Sequence, residues 1–361
     1  MGTSRHNSST ALPLRLDDVP LTGDRPPLVL TAFTRPDLLK FVIPAIQKQS
    51  LLPSKLIAYI DGARREADVS LIEKCIALFE SCTSFVSVEI IRRNHNLGCD
   101  QNVIQAFTEV LETYDSLVYL EDDTVPNPFF YDRMCRLLQA YRISPQICSI
   151  SGYANLSNEY NPESDADFIV SNRVFSWGFA TWRDRWKKFD LIHQSGQYNP
   201  FGEYYRIPAT AQTKLTLINQ FWIEKNHNTD WMITFTLTAL FHQQYHLVPT
   251  QSLVCNIGFG HPESKTYRGE EPTWVNPRYD SGFCPNRLPS TPNISPTLNS
   301  VLKETEWIHY LKAQSSLWLG PKAFLELLKT TQENRNKLLL FQLFLARLPF
   351  VLKRWRGGLP T

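Results

Sequence analysis

Short apolar runs rich in β-branched and aromatic residues recur along the first part of the chain. They lie at 28–33, 56–60, 86–91, 117–120 and 147–151. Consecutive runs begin about 30 residues apart, which is the length of a strand followed by a helix. The pattern therefore predicts five strands that are separated by helices.

Apolar residues with a helical period fill the gaps between these runs. The period predicts helices at 37–49, 67–81, 101–114 and 129–141. Alternating strands and helices are typical of an α/β fold with a mostly parallel central sheet flanked by helices. Ligands of such folds bind beyond the carboxyl ends of the strands, so the residues that follow a predicted strand are the first candidates for a site.

The pattern of the sequence changes after residue 152. Residues 153–167 are polar and loop-like, 175–189 are aromatic and basic, and 212–247 have a largely helical pattern. Residues 258–296 are rich in Gly, Pro, Ser and Asn, which predicts mostly loop. For the basic and apolar C-terminal segment that follows we expect amphipathic helices.

Composition limits the classes of protein to which the chain can belong. Apolar residues make up 43% and charged residues 20% of the 361 positions, which is ordinary for a globular protein. A net charge of +2 gives no indication of nucleic-acid binding. Seven scattered cysteines without a CxxC pair favour reduced thiols in the cytosol over a disulfide framework or a zinc site. We expect neither a signal peptide nor a membrane-spanning helix.

Three consecutive carboxylates follow the fourth apolar run, in the stretch LVYLEDDTVPNPFF. Adjacent negative charges repel, and a hard divalent cation such as Mn²⁺ or Mg²⁺, which prefers oxygen ligands, would relieve the repulsion. In an extended strand, Glu121 and Asp123 would share one side and Asp122 would face the other. The alternative is a solvated turn whose acidic side chains cap the helix at 129–141.

Three further candidates lie at the predicted ends of strands or helices. Arg35 follows the first strand, where a guanidinium can bind a phosphate through two hydrogen bonds or can be an ordinary surface group. Asp61 belongs to an Asp-Gly pair after the second strand, which is equally typical of a tight turn. Asp230 precedes the apolar stretch WMITF, where the alternative to a catalytic role is capping of the following helix.

Aromatic residues in the second half are candidates for contact with a sugar. Trp177 and Trp182 lie on either side of Gly178; aromatic faces pack against pyranose rings, and glycine lets a backbone approach closely. Core packing is the alternative. The glycines of GFGHPES predict the hinge of a loop that closes over a ligand, in which His261 is either a solvated residue or an additional metal ligand.

The stretch VYLEDDTVPNPFFYDRM resembles the acidic motif of GT-A fold glycosyltransferases, in particular the N-acetylglucosaminyltransferase I type and bacterial family 2 sugar transferases. Other stretches resemble the same family in the same order along the chain. They are LVLTAFTRPDLLKFVIPAI, AYIDG, NHNLGCDQNVIQAF, FSWGFATWRDRW, NTDWMITF and VPTQSLVCNIGFGHPESKTY. Together they cover roughly residues 28 to 268, and the resemblance implies a GT-A (nucleotide-diphospho-sugar transferase) fold with a C-terminal helical extension.

The resemblance implies roles for the residues of the donor side. Asp123 would be the direct ligand of Mn²⁺ or Mg²⁺. Asp122 and Glu121 would contact the ribose and the sugar of the donor or steady the waters of the metal. Asp61 would hydrogen-bond the nucleotide base, and Arg35 would reach the diphosphate.

On the acceptor side, the resemblance makes Asp230 the general base. It also places Trp177, Gly178 and Trp182 beside the acceptor. This chain departs from the family motif at Thr229, where the family has an aspartate, so the group that would orient Asp230 is left open.

The resemblance also implies a division of the chain. The expected parts are a flexible leader at 1–25, a catalytic domain at 26–270 with a nucleotide-binding half at 26–152 and an acceptor-binding half at 153–270, and a loop-rich and helical segment at 271–361. Residues 334–356 are either a packed helix or an interfacial helix on an anionic membrane. The membrane anchor of the eukaryotic members is absent, which favours a cytoplasmic enzyme of the bacterial type that is peripheral to the membrane.

The predicted activity is that of a metal-dependent inverting glycosyltransferase, either hexosyl or N-acetylhexosaminyl. A sugar would pass from a nucleotide diphosphate, UDP in the first instance, to a hydroxyl of a glycan or glycolipid acceptor. Two alternatives stay open. A sugar-nucleotide pyrophosphorylase would have a basic Gly-rich loop near its N-terminus, and TAFTRPDLL has no glycine. A non-catalytic glycan-binding protein would bind sugar without turnover of a donor.

Overall fold

The structure of the chain is a computed structural model that describes most of the first 190 residues and parts of the rest. The described residues are 15–82, 87–154, 166–171, 174–189, 231–242, 244–264, 271, 275, 279–289 and eight positions between 325 and 345. The chain divides into two compact units, Met1–Trp186 with His246–Ser295 and Lys187–Tyr245 with Pro296–Thr361. The domain boundaries expected at 25, 152 and 270 stay predictions.

Ten strands are present in the described residues. They are β1 (Leu28–Ala32), β2 (Lys55–Ile60), β3 (Ser87–Arg92), β4 (Ser116–Glu121), β5 (Thr124–Pro126), β6 (Ile147–Ser151), β7 (Phe168–Ser171), β8 (Phe179–Trp182), β9 (Tyr245–Pro249) and β10 (Val254–Asn256). Eight of them form one sheet in the order β3-β2-β1-β4-β8-β6-β9-β7, and β5 pairs with β10 separately. Every residue of β1 and β6 is buried, as expected for strands that are covered on both faces.

The strand directions give the sheet a parallel half and a mixed half. Strands β3, β2, β1 and β4 pair in parallel. Strand β8 is antiparallel to both β4 and β6, so β6 runs in the same direction as β4, and β7 is antiparallel to β9. Five strands therefore share one direction, and the predicted α/β fold with a mostly parallel central sheet is confirmed.

Six α-helices in the described residues have both ends defined, besides a short 3-10 helix at Leu16–Asp18 and the helical positions between 325 and 345. They are α1 (Pro36–Gln47), α2 (Glu66–Glu80), α3 (Cys99–Thr113), α4 (Phe130–Ala140), α5 (Arg183–Trp186) and α6 (Trp231–Phe241). Helix α2 contacts β2 and β3, α3 contacts β1 and β4, and α4 contacts β4, β6 and β8. Helix α1 begins with a proline. Proline has no backbone N–H, but an N–H in the first turn of a helix would have no intrahelical acceptor, so no hydrogen bond is lost.

The alternation predicted for the first half agrees with these elements. The apolar runs at 28–33 and 117–120 are strands β1 and β4, and the helix expected at 67–81 is α2. In the second half, the described part of the stretch expected to be largely helical contains α6, and its last residues, 245–247, begin strand β9. Strands β5, β7, β8 and β10 were not predicted, since a buried strand of three or four residues shows no measurable period.

An aromatic cluster joins α3 to the sheet. The ring of Phe107 in α3 lies edge-on to Tyr119 of β4, with 4.9 Å between the ring centroids, and stacks 5.9 Å from Phe179 of β8. Trp186 of α5 lies 5.0 Å from the same ring. All four rings are buried, and each such pair contributes about 0.5–1.5 kcal/mol beyond its buried area. The cluster fixes α3 where β4 meets β8.

All seven cysteines lie in the described residues, and none of them is paired in a disulfide. Burial raises the pKa of the Cys135 thiol to about 12, so this side chain is protonated at neutral pH. Within the described residues, no helix combines the length and the apolar character that crossing a membrane requires.

Gly178 gives a test of the packing between α4 and the ribbon of β5 and β10. A Cβ at Gly178, whose φ is +65°, would lie 2.7 Å from the Phe130 ring and 2.7 Å from Val254. We expect Gly178→Ala to lower the free energy of unfolding by about 1–3 kcal/mol more than Gly23→Ala, because overpacking adds to the backbone strain. Gly23 is the matched control, since its φ is +77° and nothing lies within 4 Å of its added Cβ. Equal losses in urea titrations of the two variants would contradict the packing shown here.

Candidate functional site

The candidate site lies at the carboxyl ends of β1 and β4. The strand order β3-β2-β1-β4 means that the chain proceeds outward from β1 to β3 and then returns to the other side of β1. A crevice opens at such a reversal in doubly wound sheets, outside the strand ends. Arg35 follows β1, and Asp122 and Asp123 follow β4, with Thr31 of β1 in register with Glu121 of β4.

Arg35 binds both aspartates with one guanidinium. Its Nε and Nη2 donate to the two carboxylate oxygens of Asp122, with 3.3 Å from Nε to Oδ2. Its Nη1 donates to Oδ2 of Asp123 at 2.8 Å. The side chains of all three residues are largely buried, with 17%, 4% and 9% exposed for Arg35, Asp122 and Asp123. The two neighbouring carboxylates are therefore tolerated here because the positively charged guanidinium of Arg35 lies between them.

The electrostatics of the three groups agree with this arrangement. Burial alone lowers the pKa of Arg35, but the Asp122 and Asp123 carboxylates raise it well above its usual range, so the guanidinium stays charged. Burial raises the pKa of Asp122, and Arg35 is the largest influence that lowers it. The fork of hydrogen bonds is thus the main favourable interaction of the buried Asp122 carboxylate.

The geometry corrects the expected direction of the acidic side chains. The expectation that Glu121 and Asp123 share a side, with Asp122 opposite, is wrong, because β4 ends at Glu121 and the next two residues form a turn. In the turn, Asp122 and Asp123 face the same guanidinium. Burial, with a smaller contribution from the Asp123 carboxylate, raises the pKa of Glu121 to about 8, and the nearby Ser176 side chain opposes this rise.

A turn from the second half of the chain closes on Asp123. Asn256, the last residue of β10, donates from Nδ2 to Oδ1 of Asp123 at 3.3 Å, and the backbone N–H of Ile257 donates to the Asp123 carbonyl at 2.9 Å. Thr124 Oγ1 also donates to Oδ1, at 3.3 Å. A Cβ added to Gly258 would lie 2.1 Å from Oδ2 of Asp123, so only glycine fits against this carboxylate.

The carboxylate of Asp61 accepts four hydrogen bonds within the fold. Oδ1 accepts from the backbone N–H groups of Gly62 and Leu97, each at 2.8 Å. Oδ2 accepts from Asn96 Nδ2 at 3.0 Å and from the N–H of Gly98 at 2.9 Å. Four bonds use the full acceptor capacity of a carboxylate, so Asp61 holds the loop before α3 against the end of β2. Its contact with a nucleotide base stays a prediction.

Trp177 lies beside the turn that approaches Asp123. Its ring is 6% exposed and packs edge-on against Tyr153 at 4.7 Å and against Phe259 at 5.8 Å. Phe259 follows Gly258 directly, so Trp177 and Asp123 contact the same short turn. Gly178 accepts a backbone hydrogen bond from Gly152 and packs on Phe130. The acceptor-binding roles of Trp177 and Gly178 stay predictions.

Trp182 has the contacts of a core residue. It is 3% exposed, and its indole N–H donates to the Leu138 carbonyl at 3.1 Å. The guanidinium of Arg185 lies 4.6 Å from the centre of its ring. These contacts are those expected from the core-packing alternative, and the acceptor-binding role of Trp182 stays a prediction.

Ion pairs fix the loop that follows β10, and sequence reasoning missed them. Glu263 pairs with Arg64 at 2.6 Å and with Arg65 at 3.5 Å, just before α2. His261 Nε2 lies 3.1 Å from Asp37 in the first turn of α1. Arg64 and Glu263 are 199 residues apart, and no local pattern indicates such a pair. His261 is thus engaged by a carboxylate of α1.

The predicted general base, Asp230, lies outside the described residues, as does Thr229. In the described residues, helix α6 begins at Trp231, the next residue along the sequence. Both the catalytic and the capping role of Asp230 stay predictions.

The described residues fit a divalent cation in one respect only. Asp123 and Asp122 offer hard carboxylate oxygens, which Mg²⁺ and Mn²⁺ prefer. Within the described ranges, however, no group of three or more His, Cys, Asp or Glu side chains is placed to hold a metal ion by itself. Arg35 already supplies one positive charge to the pair. A cation at Asp123 would therefore need further oxygen ligands, such as those of a diphosphate.

Parts of several solved glycosyltransferase structures are similar to this chain. S. aureus TarS matches with a TM-score of 0.36 and 9% identity over 64% of this chain and 36% of TarS. The mannosyltransferase PcManGT from Pyrobaculum calidifontis, solved with GDP-Man and Mn²⁺, matches with a TM-score of 0.33 and 10% identity over 63% of this chain and 72% of PcManGT. Glucosyl-3-phosphoglycerate synthase from Mycobacterium tuberculosis, solved with Mn²⁺, UDP-glucose and phosphoglyceric acid, matches with a TM-score of 0.29 and 15% identity over 45% of this chain and 58% of the synthase.

These likenesses are distant and partial. The chain spans about a third of the length of TarS, and every TM-score is well below 0.5. No protein-family model matches the sequence, and no curated protein matches it. The function proposed below therefore rests on the residues and geometry of this chain.

Gly258→Ala tests the contact between the turn after β10 and the acidic pair. The added methyl group would meet Oδ2 of Asp123, so either the carboxylate or the turn must move. If Asp123 holds the metal ion of a UDP donor, as the sequence predicts, we expect UDP to bind about 10- to 100-fold more weakly in the presence of Mn²⁺, the usual loss when a metal ligand is no longer held in place.

Gly282→Ala is the matched control for this variant, because the nearest atom to its Cβ would be Oδ1 of Asp280 at an ordinary 3.5 Å. Isothermal titration calorimetry of both variants with UDP and Mn²⁺ is the measurement. Unchanged affinity in Gly258→Ala would contradict the prediction of a donor site beside this turn.

Proposed function

We propose that the chain is a metal-dependent inverting glycosyltransferase that transfers a hexosyl or N-acetylhexosaminyl group from a nucleoside diphosphate, with UDP as the first candidate. The observation that supports it most is the guanidinium of Arg35 on Asp122 and Asp123, at the reversal of strand order between β1 and β4. This is where sheets of this kind bind nucleotides. The site combines a fixed positive group with hard oxygen ligands for a metal ion. A reaction in which a diphosphate is the leaving group requires both.

The chemistry assigns separate tasks to the two charged groups. Negative charge develops on the leaving diphosphate, and a divalent cation bound at Asp123 would neutralise it. Arg35 would donate hydrogen bonds to the oxygens of the diphosphate. Its fork of hydrogen bonds to Asp122 fixes the direction of the guanidinium. Because the site is largely buried, these interactions are stronger than they would be in water.

The nucleoside would bind beside β2, the neighbour of β1. Asp61 fixes residues 96–98 at the end of this strand through hydrogen bonds to Asn96, Leu97 and Gly98. The loop is held by a buried carboxylate, so its backbone groups are positioned before the ligand arrives. We assign recognition of the base and ribose to this part of the site.

The acceptor would approach from the side of Trp177. Ser176, the residue before it, lowers the pKa of Glu121, so the aromatic segment lies near the end of β4. Asp230 is the proposed general base that removes the proton of the acceptor hydroxyl as the anomeric carbon becomes positive. A base on the face of the sugar opposite to the diphosphate gives inversion.

A lipid-linked acceptor at a membrane surface is part of the proposal. Three apolar residues near the C-terminus are helical and about half exposed. They are Leu338 with 57%, Phe341 with 49% and Leu345 with 48% of the surface exposed. Their spacing of three and four residues places them on one face of a helix. The surrounding residues 334–356 have no acidic side chain, so attraction to anionic lipid supports this orientation.

Asp123→Ala tests the role of the acidic pair. We expect loss of Mn²⁺-dependent UDP binding by about 100-fold or more, because the variant removes the carboxylate that would hold the cation. Equilibrium binding of UDP with Mn²⁺ and with EDTA is the measurement. Asp24→Ala removes an exposed carboxylate before β1 and should leave both affinities unchanged. Equal UDP affinity of Asp123→Ala and the wild type would remove Asp123 from the site.

Asp230→Asn separates donor binding from transfer. The amide cannot accept the proton of the acceptor hydroxyl, and a general base contributes about 10²- to 10⁴-fold to the rate. We expect unchanged UDP affinity and a loss of transfer of that size, measured as product formed per enzyme on a glycan acceptor. Full transfer activity in Asp230→Asn would assign the base to another residue.

A further inference from the structure

We propose that Arg35 occupies the cation-binding oxygen of Asp123 until a diphosphate draws its Nη1 away, so that the divalent cation and the nucleotide bind together. The inference rests on the proposed function, since it concerns the same cation and the same donor. It assigns Arg35 a second task, which is to keep the metal position closed in the absence of donor.

The contacts of Asp123 support this assignment. Its Oδ2 accepts from Arg35 Nη1 at 2.8 Å, and the same oxygen lies against Gly258. Its Oδ1 accepts from Thr124 and Asn256, both at a longer 3.3 Å. The bond from Arg35 is thus the shortest of the three and the only charged one among them. A metal ion that bound Oδ2 would compete with this guanidinium nitrogen for the same lone pairs and would be repelled by its charge.

The guanidinium has a pivot that allows Nη1 to move. Nε and Nη2 bind Asp122 as a fork, while Nη1 alone reaches Asp123. Because the guanidinium is a rigid plane, Nη1 leaves Oδ2 when the whole group turns about the line of its two bonds to Asp122, which bend without being lost. A diphosphate offers charged acceptor oxygens in exchange, so the departure of Nη1 from Asp123 leaves no buried donor without a partner.

Competition within one molecule couples the two ligands. Because Arg35 is tethered next to Asp123, its effective concentration there is high, and a free cation must overcome it. Donor binding removes that competition. Linkage then requires that the cation raise the affinity for the nucleotide by the same factor by which the nucleotide raises the affinity for the cation.

Arg35→Gln tests the inference by binding of Mn²⁺ alone. The variant removes the competing charge, so we expect Mn²⁺ without nucleotide to bind at least about 5-fold more tightly than in the wild type, within the usual range of such coupling. UDP in the presence of Mn²⁺ should bind more weakly, because the diphosphate loses a donor. Electron paramagnetic resonance of free Mn²⁺ measures the first quantity, and calorimetry measures the second.

Arg92→Gln is the matched control, since it removes one half-exposed arginine at the end of β3 that pairs with Glu73 and not with the acidic pair. It should change Mn²⁺ affinity less than about twofold, because exposed charges are screened. Arg35→Met is the second variant if Arg35→Gln does not fold. It also removes the competing charge and the hydrogen bond to Asp123, so Mn²⁺ alone should again bind more tightly than in the wild type.

The outcomes distinguish the inference from the proposed function. Tighter binding of Mn²⁺ alone by the Arg35 variants supports the inference. Unchanged or weaker binding by them, with Mn²⁺-dependent UDP binding intact in the wild type, overturns the inference and leaves the function standing. A wild type that binds no Mn²⁺ even with saturating UDP overturns the metal part of both.

Discussion

The ion pair between Arg35 and the two aspartates after β4 is the interaction on which the candidate site depends. Two adjacent buried carboxylates would repel each other and would be costly to remove from water. The guanidinium compensates both, through three hydrogen bonds that connect the end of β1 with the end of β4. Such a pair is a weak contribution to stability when its desolvation is included. Under the proposed function, the pair would place an anion-binding group and a cation-binding group within a few ångströms of each other.

The sheet supplies the position for this pair. Since β1 is central to the parallel half, the residues after it are bordered by the ends of β2 on one side and β4 on the other. Asp61 and Arg35 therefore follow neighbouring strands, and their carboxylate and guanidinium have different partners. One stabilises the loop before α3, and the other balances the acidic pair. The turn after β10 completes the border from a distant part of the chain, with glycine where a side chain would strike Asp123.

Sequence reasoning identified the parts of the site that follow long buried strands. The strands β1, β2 and β4 have five or six residues with clear apolar runs, and the residues directly after them could be named as candidates. It did not show that Asp122 and Asp123 turn toward one guanidinium, because strand periodicity does not apply beyond Glu121. The contacts of Gly258 with Asp123 and of Glu263 with Arg64 could not be predicted, since they join segments more than a hundred residues apart. Three of the four hydrogen bonds that the Asp61 carboxylate accepts come from backbone N–H groups, and such donors cannot be recognised in a sequence.

The most direct test of the account is a screen of nucleotide sugars for hydrolysis by the purified chain, with Mn²⁺ and with EDTA. A bound metal and a charged guanidinium should allow slow transfer of the sugar to water even without the natural acceptor. The account predicts release of the nucleoside diphosphate from at least one UDP-sugar, with Mn²⁺ and not with EDTA. A chain that binds sugars but releases no nucleotide from any donor under either condition would be a glycan-binding protein, and the proposed activity would be wrong.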